Sequence, residues 1–309
     1  MAWPAPYVLL SSDNGFIGRW GNRTLLARFG PAQPFDDGQS HHKAALLPGA
    51  AIPVQPFEMI KKPILNVMAA LSLLGDRRCA ADGASDISSD IGSIATRRGD
   101  DQVAILVYHS RDQIAASGSE RIRLTLQHLP FERAMLAHYR IEEGRGDPYA
   151  VWEEAGGLPE PGPSLYAAMR DAQELALLLP PREVAIGDCS LALDFDLPLP
   201  GVSLILLSER PTAGPERVRD VRLARYTGLH GEAQTMVSWQ GLPSRAIHTY
   251  EVLRSDQPDG SFVRANMPDL ICAAFLDVRE TNAPSGFYRV RAVDFWERRG
   301  PESETASPN

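Results

Sequence analysis

The sequence predicts a mixed, mainly β chain, and three observations carry that expectation. Residues 1 to 76 read as one apolar strand, a polar glycine-bearing loop and an amphipathic helix. Short apolar runs, often alternating and broken by Gly, Pro and Asp, fill much of 77 to 212, and a regular strand series fills 213 to 303.

In the first zone, Tyr7-Val8-Leu9-Leu10 runs straight into Ser11-Ser12-Asp13-Asn14-Gly15. That is the pattern of a core strand delivering polar side chains to one end of a sheet. "RTLLARF" (Arg23 to Phe29) follows, then a loop rich in Pro, Gly and Asp. The apolar positions Phe57, Ile60, Ile64, Val67, Met68, Leu71 and Leu74 recur at spacings of three and four and predict one helical face. Pro63 either kinks this helix or starts it afresh, and Gly75 is placed to end it. A single β-loop-α unit cannot bury both faces of its strand, so the zone reads as a fragment of a larger α/β structure whose remainder lies upstream of Met1.

Residues 77 to about 101 are small and polar and read as a linker or an edge segment. The second zone then supplies "QVAILVYHS", "RIRLTLQHL", "AMLAHYRIEE", "CSLALDF" and "GVSLILLSE". Strands so short and so regularly interrupted predict an antiparallel sandwich rather than a parallel sheet. Between the third and fourth strands, "DPYAVWEEAGG" and "SLYAAMRDAQE" predict two helices, with Ser164 a candidate cap for the second.

The third zone reads "RDVRLARY", "QTMVSWQG", "HTYEVLRSD", "SFVRA", "AAFLDV", "GFYRVRAVD" and "RRGPESE", the strand series of a fibronectin type III module. Trp239 and Tyr250 are its expected core aromatics, Tyr288 stands where a tyrosine corner belongs, and "TASPN" reads as a frayed tail.

The chain is 309 residues long, 44% hydrophobic, with mean hydropathy −0.20, the composition of an ordinary globular protein. A net charge of −8 argues against a nucleic-acid binder or a polybasic membrane binder. Cys79, Cys189 and Cys272 have neither CxxC spacing nor an even count and are expected to be buried thiols. His41-His42 has no partnering ligand pattern, so no metal site is expected. The first residues lack a basic region and a long apolar run, so no secretory signal is expected, and no stretch is long and apolar enough to span a bilayer.

No GxSxG elbow appears, and Gly156-Gly157 lies between helices rather than after a strand, so neither serine hydrolysis nor nucleotide binding is supported. The doublets Glu142-Glu143 and Glu153-Glu154 do not converge on one bond and are expected to be solvated. Asp13 and Arg23 remain: a carboxylate that can accept from sugar hydroxyls, and a guanidinium fork that can grip a carboxylate, together suit an acidic carbohydrate. Taken alone, Asp13 before Asn-Gly is equally a turn former and Arg23 a surface charge.

From "YVLLSSDNGF" through "NRTLLARF", "KPILNVMAALSLL", "VAILVYHS", "DPYAVWEEAG", "LPLPGVSLILLSERP", "YEVLRSD" and "GFYRVRAVDFWERRGPESE", the chain resembles the C-terminal half of the α-L-iduronidases of glycoside hydrolase family 39. The resemblance implies the end of a (β/α)8 barrel (last strand and helix, residues 1–76), a β-sandwich with a helical insertion (77–212) and a fibronectin type III-like sandwich with its tail (213–309). Such enzymes retain configuration with two glutamates about 5 Å apart on earlier barrel strands, and no residue here matches either one. Two substrate contacts carry over: Asp13 to iduronic acid hydroxyls and Arg23 to the uronate carboxylate. A glycosaminoglycan substrate, lysosomal location and a homodimer in the full-length enzyme are implied, with no cofactor and no nucleic-acid or membrane partner. Asn22-Arg23-Thr24 is a glycosylation sequon expected to be unused, because a glycan there would crowd Arg23.

Two alternatives stand beside this reading. A β-xylosidase-like member of the same family would have no carboxylate for Arg23 to grip. A non-catalytic binding module would show a row of exposed aromatics, whereas Trp3, Trp20 and Trp296 are scattered.

Overall fold

The computed structural model describes Ile60 and residues 63–82, 90–111, 117–156, 162–227, 233–244, 246–279 and 286–307. The opening strand with Asp13, the segment with Asn22 and Arg23, Trp3, Trp20 and the His41-His42 pair lie outside these residues.

Helix α1 spans Pro63–Ser72, so of the two readings of Pro63 the fresh start holds, with the missing N–H of proline falling where a helix leaves its donors unpaired anyway. Val67 and Leu71 are buried within the helix and Leu74 just after it, as the periodicity predicts, but Met68 is 42% exposed and departs from that face. Gly75 does not close the helix in a left-handed turn. It is glycine because a methyl there would overlap the backbone carbonyl of Arg97, while its N–H donates to Thr96 Oγ1 at 2.8 Å.

α1 packs on a six-stranded antiparallel sheet: β1 (Arg77–Arg78), β2 (Ile91–Arg98), β3 (Gln102–His109), β8 (Gly201–Ser208), β5 (Arg133–Ile141) and β6 (Ala176–Ala185), in that spatial order. Central β8 is buried at every position, which explains its unbroken apolar run "LILL". One sheet face joins Leu106, Tyr139, Val202 and Leu204 to Val67 and Leu71 of α1. The other joins Ile105, Leu136, Ile205 and Leu207 to the antiparallel pair β4 (Gly118–Leu126) and β7 (Leu191–Leu199). Each fully buried Leu or Ile here contributes roughly 1.5–3 kcal/mol of transfer free energy.

Two strands refine the sequence reading. Of the linker and edge-segment readings of 77–101 the edge holds: β2 pairs with β3 along its whole length, with Gly92, Ile94 and Thr96 buried, and carries only the two-residue β1 on its other side. β6 contains Pro180-Pro181 and was not expected; it survives because it is the sheet edge, and the prolines fall at the register shift between Leu136 and His138, where no ladder donor is needed.

The helical insertion forms α2 (Pro148–Glu154), capped by Asp147 accepting from Tyr149 N at 3.1 Å, and α3 (Pro163–Asp171). Ser164 is not the cap; Pro163 occupies the first turn and Gly162 precedes it without a side-chain bond. Glu142 is not solvated either, since Arg140 and Arg145 donate to it at 2.9 and 3.2 Å. The three cysteines form no disulfide and are not buried thiols: Cys79 and Cys272 are half-buried and Cys189 is exposed. Asp188 and Cys189 both carry positive φ, +49° and +52°, in a tight turn bridged by Gly187 and Ser190.

Residues 219–306 form two facing sheets. β9 (Arg219–Thr227), β10 (Ala233–Gln240) and β13 (Ala274–Arg279) make one; β12 (Val263–Arg264), β11 (Ile247–Ser255) and β14 (Phe287–Asp294) make the other. Val237 and Trp239 from the first meet Tyr250, Val252, Tyr288 and Val290 from the second in one core. Trp239 and Tyr250 stack edge-on at 5.2 Å. The tyrosine-corner expectation for Tyr288 is corrected: its hydroxyl donates to the Asp277 carboxylate at 2.8 Å, and burial pushes its pKa up to about 12. It is Tyr250 whose hydroxyl accepts a backbone N–H, from Leu242 at 2.9 Å. Nor is Thr305-Ala306 frayed, because Ala306 N donates to Tyr288 O at 2.8 Å and Arg289 Nε to Thr305 Oγ1 at 2.9 Å.

Candidate functional site

Asp13 and Arg23 lie outside the described residues. Ile60 is 4% exposed and packs with Trp152, Tyr166 and Met169 of α2 and α3. Asn66, buried on α1, donates through its Nδ2 to Gly146 O and Gln173 O, both at 2.9 Å. These bonds tie α1 to both ends of the helical insertion. Gly146 (φ +60°) lets the chain approach closely, since a Cβ there would stand 3.1 Å from Asn66 Nδ2.

A groove of about 660 Å³ opens beside the same insertion. Arg170 and Asp171 of α3 form one side, and the outer face of the β9-β10-β13 sheet, with Tyr226, Met236 and Leu276, forms the other. The lining mixes apolar floor with charged rim, but no nucleophile-base pair stands in it.

A serine-histidine pair does occur, inside the sheet. His138 Nε2 lies 3.0 Å from Ser203 Oγ, and Arg140 Nε donates to the same hydroxyl at 2.9 Å. Ser203 is fully buried, Phe195 stacks edge-on against His138 at 4.8 Å, and Arg140 also reaches Glu142 and the Asp196 carbonyl. Burial first, and the Arg140 charge second, push the imidazole down to about 4. A neutral histidine and a serine shut away from any substrate form a structural network, not a hydrolytic site. This network went unread in the sequence because its members are 65 residues apart. Among the described residues no group of three or more His, Cys, Asp and Glu is placed to hold a metal, and no helix is long and apolar enough to cross a membrane.

The two units meet through the turn after β14. Phe295 joins the core of the six-stranded sheet, His248 stacks on it at 5.2 Å, and the Trp296 indole donates to Glu183 of β6 at 2.7 Å, with Arg210 at 6.0 Å from the ring. Trp296 is therefore an inter-unit contact rather than a free binding aromatic.

The sequence model for the α-L-iduronidase C-terminal domain matches residues 221–308. Mouse α-L-iduronidase is 27% identical over 96% of this chain and 46% of its own length; the human protein is 26% identical over 97% and 45%. The chain thus spans slightly under half the length of these relatives. A crystal structure of the bacterial orthologue of human α-L-iduronidase, described as catalytically competent without N-glycan modification, superposes with a TM-score of 0.70 at 31% identity, covering 81% of this chain and 43% of that one. Residues 221–308 match the model of the α-L-iduronidase C-terminal domain of glycoside hydrolase family 39, and over nearly its whole length the chain is similar to a C-terminal portion of the α-L-iduronidases.

Proposed function

We propose that the chain is the C-terminal part of a retaining α-L-iduronidase-like hydrolase that removes terminal iduronic acid from dermatan or heparan sulfate in the lysosome. The observation that carries this reading is the extent of the similarity, 96% of the chain against the mouse enzyme. Residues 1–76 supply the last strand and helix of a (β/α)8 barrel, 77–212 a β-sandwich and 213–309 a fibronectin type III-like sandwich. In support, α1 presents one apolar face to the neighbouring sheet, and the strand orders β13-β10-β9 and β12-β11-β14 are those of a fibronectin type III module.

In this reading Asp13 accepts from the sugar hydroxyls and Arg23 forks onto the uronate carboxylate, orienting the iduronide so that its glycosidic bond faces two glutamates that these 309 residues do not include. Charge-assisted bonds of this kind are stronger than neutral ones, so Arg23 selects an acidic sugar over a neutral xyloside. The 309-residue chain by itself is then inactive. An aryl α-L-iduronide and an aryl β-xyloside, assayed with the chain and with a full-length enzyme containing it, test the proposal. Hydrolysis of the iduronide by the full-length enzyme only is expected. Arg23→Ala should lower kcat/KM for the iduronide roughly 100-fold or more, as expected for loss of a charged contact in a dry site. Turnover by the 309-residue chain, or a preference for the xyloside, overturns the reading.

A further inference from the structure

β9 is the last strand of the β13-β10-β9 sheet, and among the described residues nothing pairs with its other edge. Main-chain N–H and C=O groups are therefore left open along the strand from Arg219 to Thr227. Arg217, Arg219, Arg222 and Arg225 stand along this edge, all exposed, and among the described residues none of them has an ion-pair or hydrogen-bond partner. Every described arginine after β9 is paired instead. Arg264, Arg291 and Arg299 converge on the Glu251 carboxylate, and Arg254, Arg279, Arg289 and Arg298 each lie within 3.1 Å of a carboxylate.

The backbone aligns part of the row. Asp220 has φ +55°, and the register slips there: Arg222 stands opposite Ser238 but Arg219 opposite Gln240, so three steps along β9 match two along β10. Such a bulge re-aims the side chains beyond it. Without it Arg219 and Arg222 would lie on opposite faces; with it they share one, about 7 Å apart along the strand. Arg225, opposite Thr235, lies on the other face. Residues 217–221 also run beside 303–306, which are bonded to β14, and a groove of about 420 Å³ lies between them, with Glu304 on its far wall.

An edge strand accepts a further strand through its main chain, while its side chains select which one. Like charges hold edges apart, so a second copy of β9, bringing arginine to arginine, is repelled. In residues 216–227 four arginines stand against two carboxylates, Glu216 and Asp220, so an acidic partner is the complementary one. Alternate side chains of a strand lie about 6.6 Å apart on one face, which matches carboxylates at every second residue to Arg219 and Arg222. We propose that the open edge of β9 binds an extended acidic polypeptide segment by strand addition. A polysaccharide or nucleic acid meets the guanidiniums but has no amide ladder with which to continue the sheet.

The experiment measures binding of a nine-residue peptide alternating Thr and Glu to the 309-residue chain, at low and physiological salt. Its Thr-Lys counterpart and a fully N-methylated version of equal charge serve as comparisons. Only the unmethylated Thr-Glu peptide should bind, and it should slow amide hydrogen exchange in residues 219–227. Arg219→Gln/Arg222→Gln should weaken binding about tenfold, as expected for the loss of two cross-strand charge pairs, and make it less salt-dependent. Both side chains are exposed and partnerless, so the fold is expected to stay intact. Arg77→Gln/Arg78→Gln on β1, likewise exposed and equal in charge change, should leave affinity unchanged. No binding, equal loss in both pairs, or unaltered exchange in 219–227 overturns the proposal. Equal binding of the N-methylated peptide overturns it in favour of a site for polyanions of any kind. Because no readout involves iduronide hydrolysis, failure here and failure of the enzymatic reading are separately visible.

Discussion

Gly75 shows how much one missing side chain can decide. The sequence marks it as a helix stop, and the helix does end before it, but the reason lies 22 residues further on, where the Arg97 carbonyl occupies the space a methyl would need. Gly75→Ala must push the end of α1 away from β2 or tilt the strand, a cost of about 1–3 kcal/mol typical of overpacking. Urea denaturation should show a lower midpoint with unchanged slope; an unaltered midpoint would mean the contact is looser than described. The same lesson holds at Tyr288. Its place in the strand series was readable, but its hydroxyl partner, Asp277, sits on the opposite sheet and follows from the packing of two sheets rather than from local spacing.

At the scale of elements, strands with a strong apolar pattern were legible: β3 and β8 fall within the runs read from the sequence, and β5 and β7 overlap theirs, β7 running on to Leu199. β2 was only half legible, as linker or edge segment, and β6 not at all, because one is built from small polar residues and the other carries two prolines that only an edge position tolerates. β5 also carries a titration. His138 has a pKa of about 4 in the fold against roughly 6.5 when unfolded. The unfolded chain takes up this proton first, so stability falls as pH drops from about 6.5 towards 4, by about 3 kcal/mol at full extent. Below pH 4 both states are protonated and the loss is complete. His138→Gln, which keeps a partner for Ser203, should flatten that part of the stability profile. Denaturation midpoints at pH 7, 5.5 and 4.5 check this, and a variant with the parental slope would place the proton elsewhere.

On the scale of the whole molecule, the C-terminal unit is held to the six-stranded sheet by the turn carrying Phe295 and Trp296. Trp296→Ala removes the bond to Glu183 and the contact with Arg210 while leaving Phe295 in place. We expect it to loosen the two units, splitting a single calorimetric transition into two; a single transition at the parental temperature would show that Phe295 suffices. By itself the sequence determined the mainly β character, the strand series of the last zone, the helical insertion and the kinship with α-L-iduronidases, because hydrophobic period and local motif are properties of neighbouring residues. Only the tertiary structure decided the strand order of the central sheet, the burial of His138 against Ser203, the docking of Trp296 on β6 and the gathering of three arginines on Glu251. Each of these depends on residues far apart in the chain whose meeting is fixed by which faces must leave water.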